Sequence, residues 1–143
     1  MTPYDHRITE YRLGDGGQQG AIVLAAWAGL CAAWNVCGAL QLAYGLRPLG
    51  PGTNLAAAAF LLLMAAAFLV SARRRPAFFL VLAAVGAVLA GLTIWNAFTL
   101  RALYWPSGFW RFVAVALNAL GIGGAILAFG DAVRHVWSRR SFG

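Results

Sequence analysis

Arg73-Arg74-Arg75-Pro76 stands halfway along this 143-residue chain, with two long apolar runs before it and two after it. An apolar run of about 18 residues or more crosses a hydrocarbon core of roughly 30 Å as a helix. The first run extends from Ala21 to Tyr44 and ends in the turn Gly45-Leu46-Arg47-Pro48-Leu49-Gly50-Pro51-Gly52, and the second covers Leu55 to Ala72. Pro76 suits the first turn of a third helix, where its missing N–H has no intrahelical partner in any case. That third run covers Ala77 to Leu100, and the fourth, Phe109 to Phe129, overlaps the aromatic turn Tyr104-Trp105-Pro106-Ser107-Gly108-Phe109-Trp110. The sequence therefore predicts an all-α integral membrane protein built as a four-transmembrane-helix bundle. Its divisions are a polar arm (1–20), a first helical hairpin (21–72), the Arg turn (73–76), a second hairpin (77–129) and a basic tail (130–143).

Composition excludes a soluble domain, because 62% of the residues are hydrophobic and 10% charged, against about 25% charged in soluble proteins. The net charge of +7 does not point to nucleic acid, since all 11 basic residues are Arg gathered mostly at helix ends and not on an aromatic-studded patch. Arg and Lys resist translocation, so their distribution sets orientation. With the N-terminus inside, Arg7, Arg12, Arg73, Arg74, Arg75, Arg134, Arg139 and Arg140 face the cytoplasm, and Arg47, Arg101 and Arg111 lie outside. The count favours a multi-pass protein of the cell (inner) membrane with both termini cytoplasmic. Arg without Lys beside abundant Ala and Gly fits a GC-rich bacterial coding sequence. The first 20 residues lack the short apolar core of a signal peptide, so the first span is expected to act as its own insertion signal. Tyr4, Ile8 and Tyr11 recur at helical spacing, which suits either an arm along the membrane surface or a disordered tail, with Gly14 to Gly20 as a joint.

The rare polar residues suggest an internal repeat. Asn35 follows Trp34 late in the first span and Asn96 follows Trp95 late in the third, while Asn54 opens the second span and Asn118 lies early in the fourth. Fewer than about 0.2 Trp-Asn pairs would arise by chance at this composition, so two at matching places point to duplication. Each half starts and finishes inside, which makes the repeats two parallel hairpins about an axis along the membrane normal. Small residues at Ala25, Gly29 and Ala33, at Gly86 with Ala90, at Ala87 with Gly91, and at Gly121, Gly123, Gly124 and Ala125 allow helix backbones to approach closely.

No Asp, Glu or His lies within any span, although proton relays, haem sites and metal sites in membranes need such groups. Neither a metal nor a cofactor is expected, and no acid, base and nucleophile constellation marks an enzyme. Asp131 and His135 read as a solvated end pair, and Cys31 and Cys37 as packing residues. Trp27 and Trp137 near the inner face and Trp95, Trp105 and Trp110 near the outer read as interfacial anchors, whereas Trp34 is expected to be buried.

Asn35, Asn96, Gln41, Thr93 and Thr99 are uncharged polar residues in the outer halves of the first and third spans. Such groups hydrogen-bond across helices, or else Asn35, Asn96, Gln41 and Thr99 line a small polar pocket. Arg101 and Arg111 flank that region and either snorkel or bind an anion or lipid headgroup. Arg73, Arg74 and Arg75 set topology and attract anionic lipid. Two functions follow. The first is a structural or accessory subunit, held to a membrane-protein partner or to its own copies by the small-residue faces. The alternative is a small carrier, channel or lipid-handling protein that binds an anionic or polar solute near the outer leaflet. No motif is specific enough to place the chain in a family.

Overall fold

Four long helices occupy most of residues 13–140, the part of the chain that the computed structural model describes. They are α1 (Asp15–Ala43), α2 (Leu55–Arg74), α3 (Pro76–Phe98) and α4 (Gly108–Arg140), with a single 3-10 turn at Ala102–Tyr104 before α4. Each is long and apolar enough to cross a membrane. The shortest, α2, has 20 residues and spans about 30 Å at 1.5 Å per residue. In chain order the helices form a ring in which α1 packs on α2 and α4, α3 packs on α4 and more lightly on α2, and α2 does not meet α4.

Burial is sorted by size in the sense a membrane requires. The buried set is rich in Ala and Gly, including Ala28, Ala83, Ala90, Ala125 and Ala128, whereas Leu, Val and Phe such as Leu63, Val88, Leu92 and Phe112 face outward. In water that arrangement would be inverted, because large apolar side chains gain most from burial. In lipid the outward Leu and Val lose nothing, and small inward residues let the helices close on one another.

The Arg turn is as tight as a helical hairpin allows. Arg75 is at once the residue that closes α2 and the residue that opens α3, with φ −144° and ψ 75°. Pro76 enforces this, since its ring excludes the helical conformation from the residue before it. Arg73, Arg74 and Arg75 are all exposed.

Helices α1 and α4 approach closely at glycines in the half of the bundle nearest this turn. A Cβ on Gly20 would stand 2.8 Å from the Ala128 backbone nitrogen, and one on Gly124 would stand 3.0 Å from Val23 and Leu24 side-chain atoms. Gly29 serves no such contact among the described residues, because nothing lies within 4 Å of a Cβ placed on it, and Ala33 is exposed, whereas Ala25 packs against the core. Helix α1 begins at Asp15, so Gly14 to Gly20, read above as a joint, are its cap and first turns. Gly14 has no side chain to cap the helix, and Asp131 of α4 supplies one: its Oδ2 accepts the Gly14 N–H at 2.9 Å. Asp131 is therefore half-buried against α1 instead of being a solvated end group, while the His135 side chain lies outside the described set, as do residues 1–12 with Tyr4, Ile8 and Tyr11.

Leu24, Trp27, Phe68 and Phe79 are the largest fully buried side chains. Phe68 and Phe79 meet edge to face at 6.5 Å, and Gly86 leaves room for Phe68 and Trp27 together. This solid core fills the Arg-turn half of the bundle.

Candidate functional site

The opposite half is hollow. A cavity of about 430 Å³ lies there, walled by all four helices and by both connections at that end. Its floor includes Trp27, which is only 2% exposed and is wedged against Gly121, whose Cβ would stand 2.7 Å from the indole ring. Trp27 is thus an internal wedge instead of an anchor at the membrane surface, whereas Trp95 and Trp137 face outward at 66% and 73% exposure. Trp34 packs edge to face on Trp110 at 5.7 Å, half-buried in the wall.

The segment between α1 and α2 roofs the cavity, and polar residues fasten it. Gln41 Oε1 accepts the Leu49 N–H at 2.8 Å, Asn35 Oδ1 accepts the Asn54 N–H at 3.2 Å, and Arg101 Nη1 donates to the Pro51 carbonyl at 3.0 Å. Thr53 is buried and its side chain drops into the notch left by Gly38. Asn54 then starts α2 by accepting the Ala57 N–H at 2.8 Å, the usual way an Asn satisfies an orphan donor at a helix start. Gly52 takes φ +80° and lies directly against Arg101 Nη1. Only glycine suits both conditions, because the left-handed region strains any residue with a Cβ.

Asn35, Asn96 and Arg101 come together in the cavity wall, joined by Thr93 and Asn118. Gln41 and Thr99 are not among the lining residues: Gln41 holds the roof from outside, and Thr99 bonds back to the Trp95 carbonyl at 2.9 Å. Arg111 lies over the Phe98 ring at 5.5 Å, away from the cavity. Asn118, matched to Asn54 in the repeat, and Trp27 and Trp105, expected as interfacial anchors, are wall residues that the sequence did not assign to a pocket. For Asn118 the clue was its shared face with Ala114, Gly121 and Ala125, at spacings of four, three and seven.

Hydrogen bonding in the wall is incomplete. Asn35 uses both ends of its amide, since its Nδ2 donates to the Cys31 carbonyl at 2.9 Å. Asn118 is buried and its Nδ2 donates to the Ala114 carbonyl at 2.8 Å, while its Oδ1 accepts no hydrogen bond among the described residues. The Asn96 side chain makes no hydrogen bond among the described residues, and the indole N–H groups of Trp27 and Trp105 are buried without an acceptor. An amide carries two donors and two acceptor lone pairs, and leaving such groups unmet away from water is costly. Donors dominate, one guanidinium lies at the rim, and the described lining residues include no carboxylate. What this wall can do chemically is receive hydrogen-bond acceptors and negative charge.

The described residues contain no group of three or more His, Cys, Asp or Glu side chains able to hold a metal ion. In comparisons with known proteins, no family model, curated protein or solved structure matches this chain.

Proposed function

We propose that this protein binds an acceptor-rich, anionic solute or headgroup in the hollow half of its bundle, handling it without covalent chemistry. The observation that carries this reading is the set of hydrogen-bond donors in one wall, the Asn96 amide N–H groups and the two buried indole N–H groups of Trp27 and Trp105, around a cavity of about 430 Å³ with Arg101 at its rim. That volume falls in the range of small-ligand sites, roughly 300–1,000 Å³. Binding is favoured over open conduction because Trp27, Leu24, Phe68 and Phe79 fill the other half of the bundle. The Arg distribution supports an orientation with the cavity in the outer leaflet and both termini in the cytoplasm of a bacterial inner membrane. Asn35 and Asn96, on the diagonally placed α1 and α3, line the same cavity, in keeping with two parallel hairpin repeats.

The test is titration of the purified full chain with glycerol phosphate while following tryptophan emission, because Trp27, Trp34 and Trp105 all line the cavity. A saturable spectral change is expected, lost in Asn96→Leu and Arg101→Ala. A response that persists unchanged in both variants would remove this function.

A second reading, as an accessory subunit or homo-oligomer, is favoured by the outer face of α1. Gly29 has no neighbour within 4 Å of its Cβ position and Ala33 is exposed, which leaves a small-residue face open to another membrane helix. Cysteine crosslinking from Ala33→Cys in native membranes tests it, with a defined adduct expected and monomer alone counting against it.

A further inference from the structure

The cavity is closed on one side and open on the other. On the α1 and α4 side Trp27, Cys31, Ala114 and Asn118 are buried and Trp34, Asn35 and Leu117 are half-buried, and no lining residue there is exposed. On the α2 and α3 side the lining residues face outward as well as inward: Phe60 is 50% exposed, Leu92 is 53% exposed, and Thr93 is exposed. The lighter packing of α2 on α3 agrees with this. Their tight turn at Arg75 and the Phe68–Phe79 contact hold them together at one end, and beyond Gly86 no ring contact or hydrogen bond joins them among the described residues. A gap between α2 and α3 in this half of the bundle faces lipid, not water, because both helices cross the membrane.

We infer that the ligand is a membrane lipid with an anionic headgroup, which reaches the cavity sideways between α2 and α3 and leaves its acyl chains in the bilayer. This rests on the binding function proposed above and names its substrate class. The gradient of chemistry along the cavity matches such a molecule. Arg101 at the rim pairs with a phosphate, for which a guanidinium offers several N–H donors in a fixed fork. Asn96, two residues inside the end of α3, can donate its amide N–H groups to the ester carbonyls, and Asn118, ten residues into α4, offers its free Oδ1 to a headgroup hydroxyl. Phe60 and Leu92 at the mouth are apolar and suit the first methylenes of the chains. The cavity is large enough for a headgroup and glycerol segment and too small for a pair of acyl chains, so an opening toward lipid is a requirement of the assignment.

Thr93→Phe tests it. Thr93 lies at the mouth and its hydroxyl bonds only to the Leu89 carbonyl of its own helix, at 2.9 Å, so a larger side chain there narrows the gap without removing a contact between helices. Phe60→Ala widens the same gap and guards against a folding artefact. Full-length protein is mixed with phosphatidylglycerol, phosphatidylcholine or soluble glycerol phosphate, and retained ligand is counted by native mass spectrometry. Wild type is expected to retain one phosphatidylglycerol in preference to phosphatidylcholine. Thr93→Phe lowers lipid retention by about tenfold, a change of roughly 1.4 kcal/mol, while Phe60→Ala speeds lipid exchange. Arg101→Ala weakens both ligands. If glycerol phosphate binds and no lipid does, or if both mouth variants handle lipid as wild type does, lateral lipid access is wrong and the solute site stands. Equal retention of the two lipids overturns the anionic headgroup. Failure of every ligand overturns the inference and the binding function together.

Discussion

Gly20→Ala places one methyl group in the seam between α1 and α4, and its cost follows from the geometry there. The new Cβ would stand 2.8 Å from the Ala128 nitrogen and 2.9 Å from the Gly124 carbonyl oxygen. Ordinary contacts sit at about 3.5–4.0 Å, so the two backbones must part by roughly 0.7–1 Å, and a gap of that size loses about a quarter to a half of each neighbouring contact. Backbone cannot swing aside as a side chain does, and overpacking of this kind costs about 1–3 kcal/mol. Gly29→Ala on the same helix is the control, because its Cβ would meet nothing within 4 Å and alanine gains up to about 1 kcal/mol in helix propensity. Thermal unfolding in mild detergent separates the two. At about 4 °C per kcal/mol for a chain of this size, Gly20→Ala lowers the midpoint by roughly 4–12 °C and Gly29→Ala leaves it unchanged or raises it. Equal shifts of the same sign in both variants would refute the assigned seam.

Three further outcomes are expected. Gly52→Ala meets both a φ of +80° and the Arg101 guanidinium; it should destabilise by about 1–2 kcal/mol and weaken ligand binding by shifting Arg101, and normal binding with an unchanged melting midpoint would show that the roof does not depend on this contact. Asp131→Asn removes a carboxylate from the N-terminus of α1 and so costs about 0.3–1 kcal/mol; hydrogen exchange should quicken in residues 15–18 and not at the far end of α1, and uniform protection would contradict the cap. With Cys31 and Cys37 replaced by Ala, Arg74→Cys should react with a membrane-impermeant thiol reagent only after the cells are opened, whereas Arg47→Cys reacts in intact cells. The reverse pattern would invert the proposed orientation.

The four spans were legible because hydrophobic run length answers directly to bilayer thickness, and Pro76 marked the start of α3 because it has few other places to stand in a helix. The start of α1 was not legible: Gly14 to Gly20 have poor helix propensity, and what holds them is Gly–Gly backbone contact with α4 and the Asp131 cap, both long-range. Rarity made Asn35 and Asn96 conspicuous, and both line the cavity. Gln41 shares their polarity but sits six residues beyond Asn35, on another side of α1, and Thr99 lies past the end of α3. Trp27 reads as an interfacial anchor from its place near the start of the apolar run, but the helix begins at Asp15 and Gly121 and Gly86 open a slot for the ring. Which glycines receive a neighbour cannot be read from spacing: Gly20, Gly121 and Gly124 do, while Gly29, Gly91 and Gly123 face open space.

Whether a bound anionic ligand completes the polar wall is decided by an experimental structure of the full chain in nanodiscs containing phosphatidylglycerol. Density is expected in the cavity within hydrogen-bond distance of Asn96 and Asn118, with a phosphate against Arg101. A cavity that has collapsed, or that holds only water while Arg101 points into solvent, would contradict it.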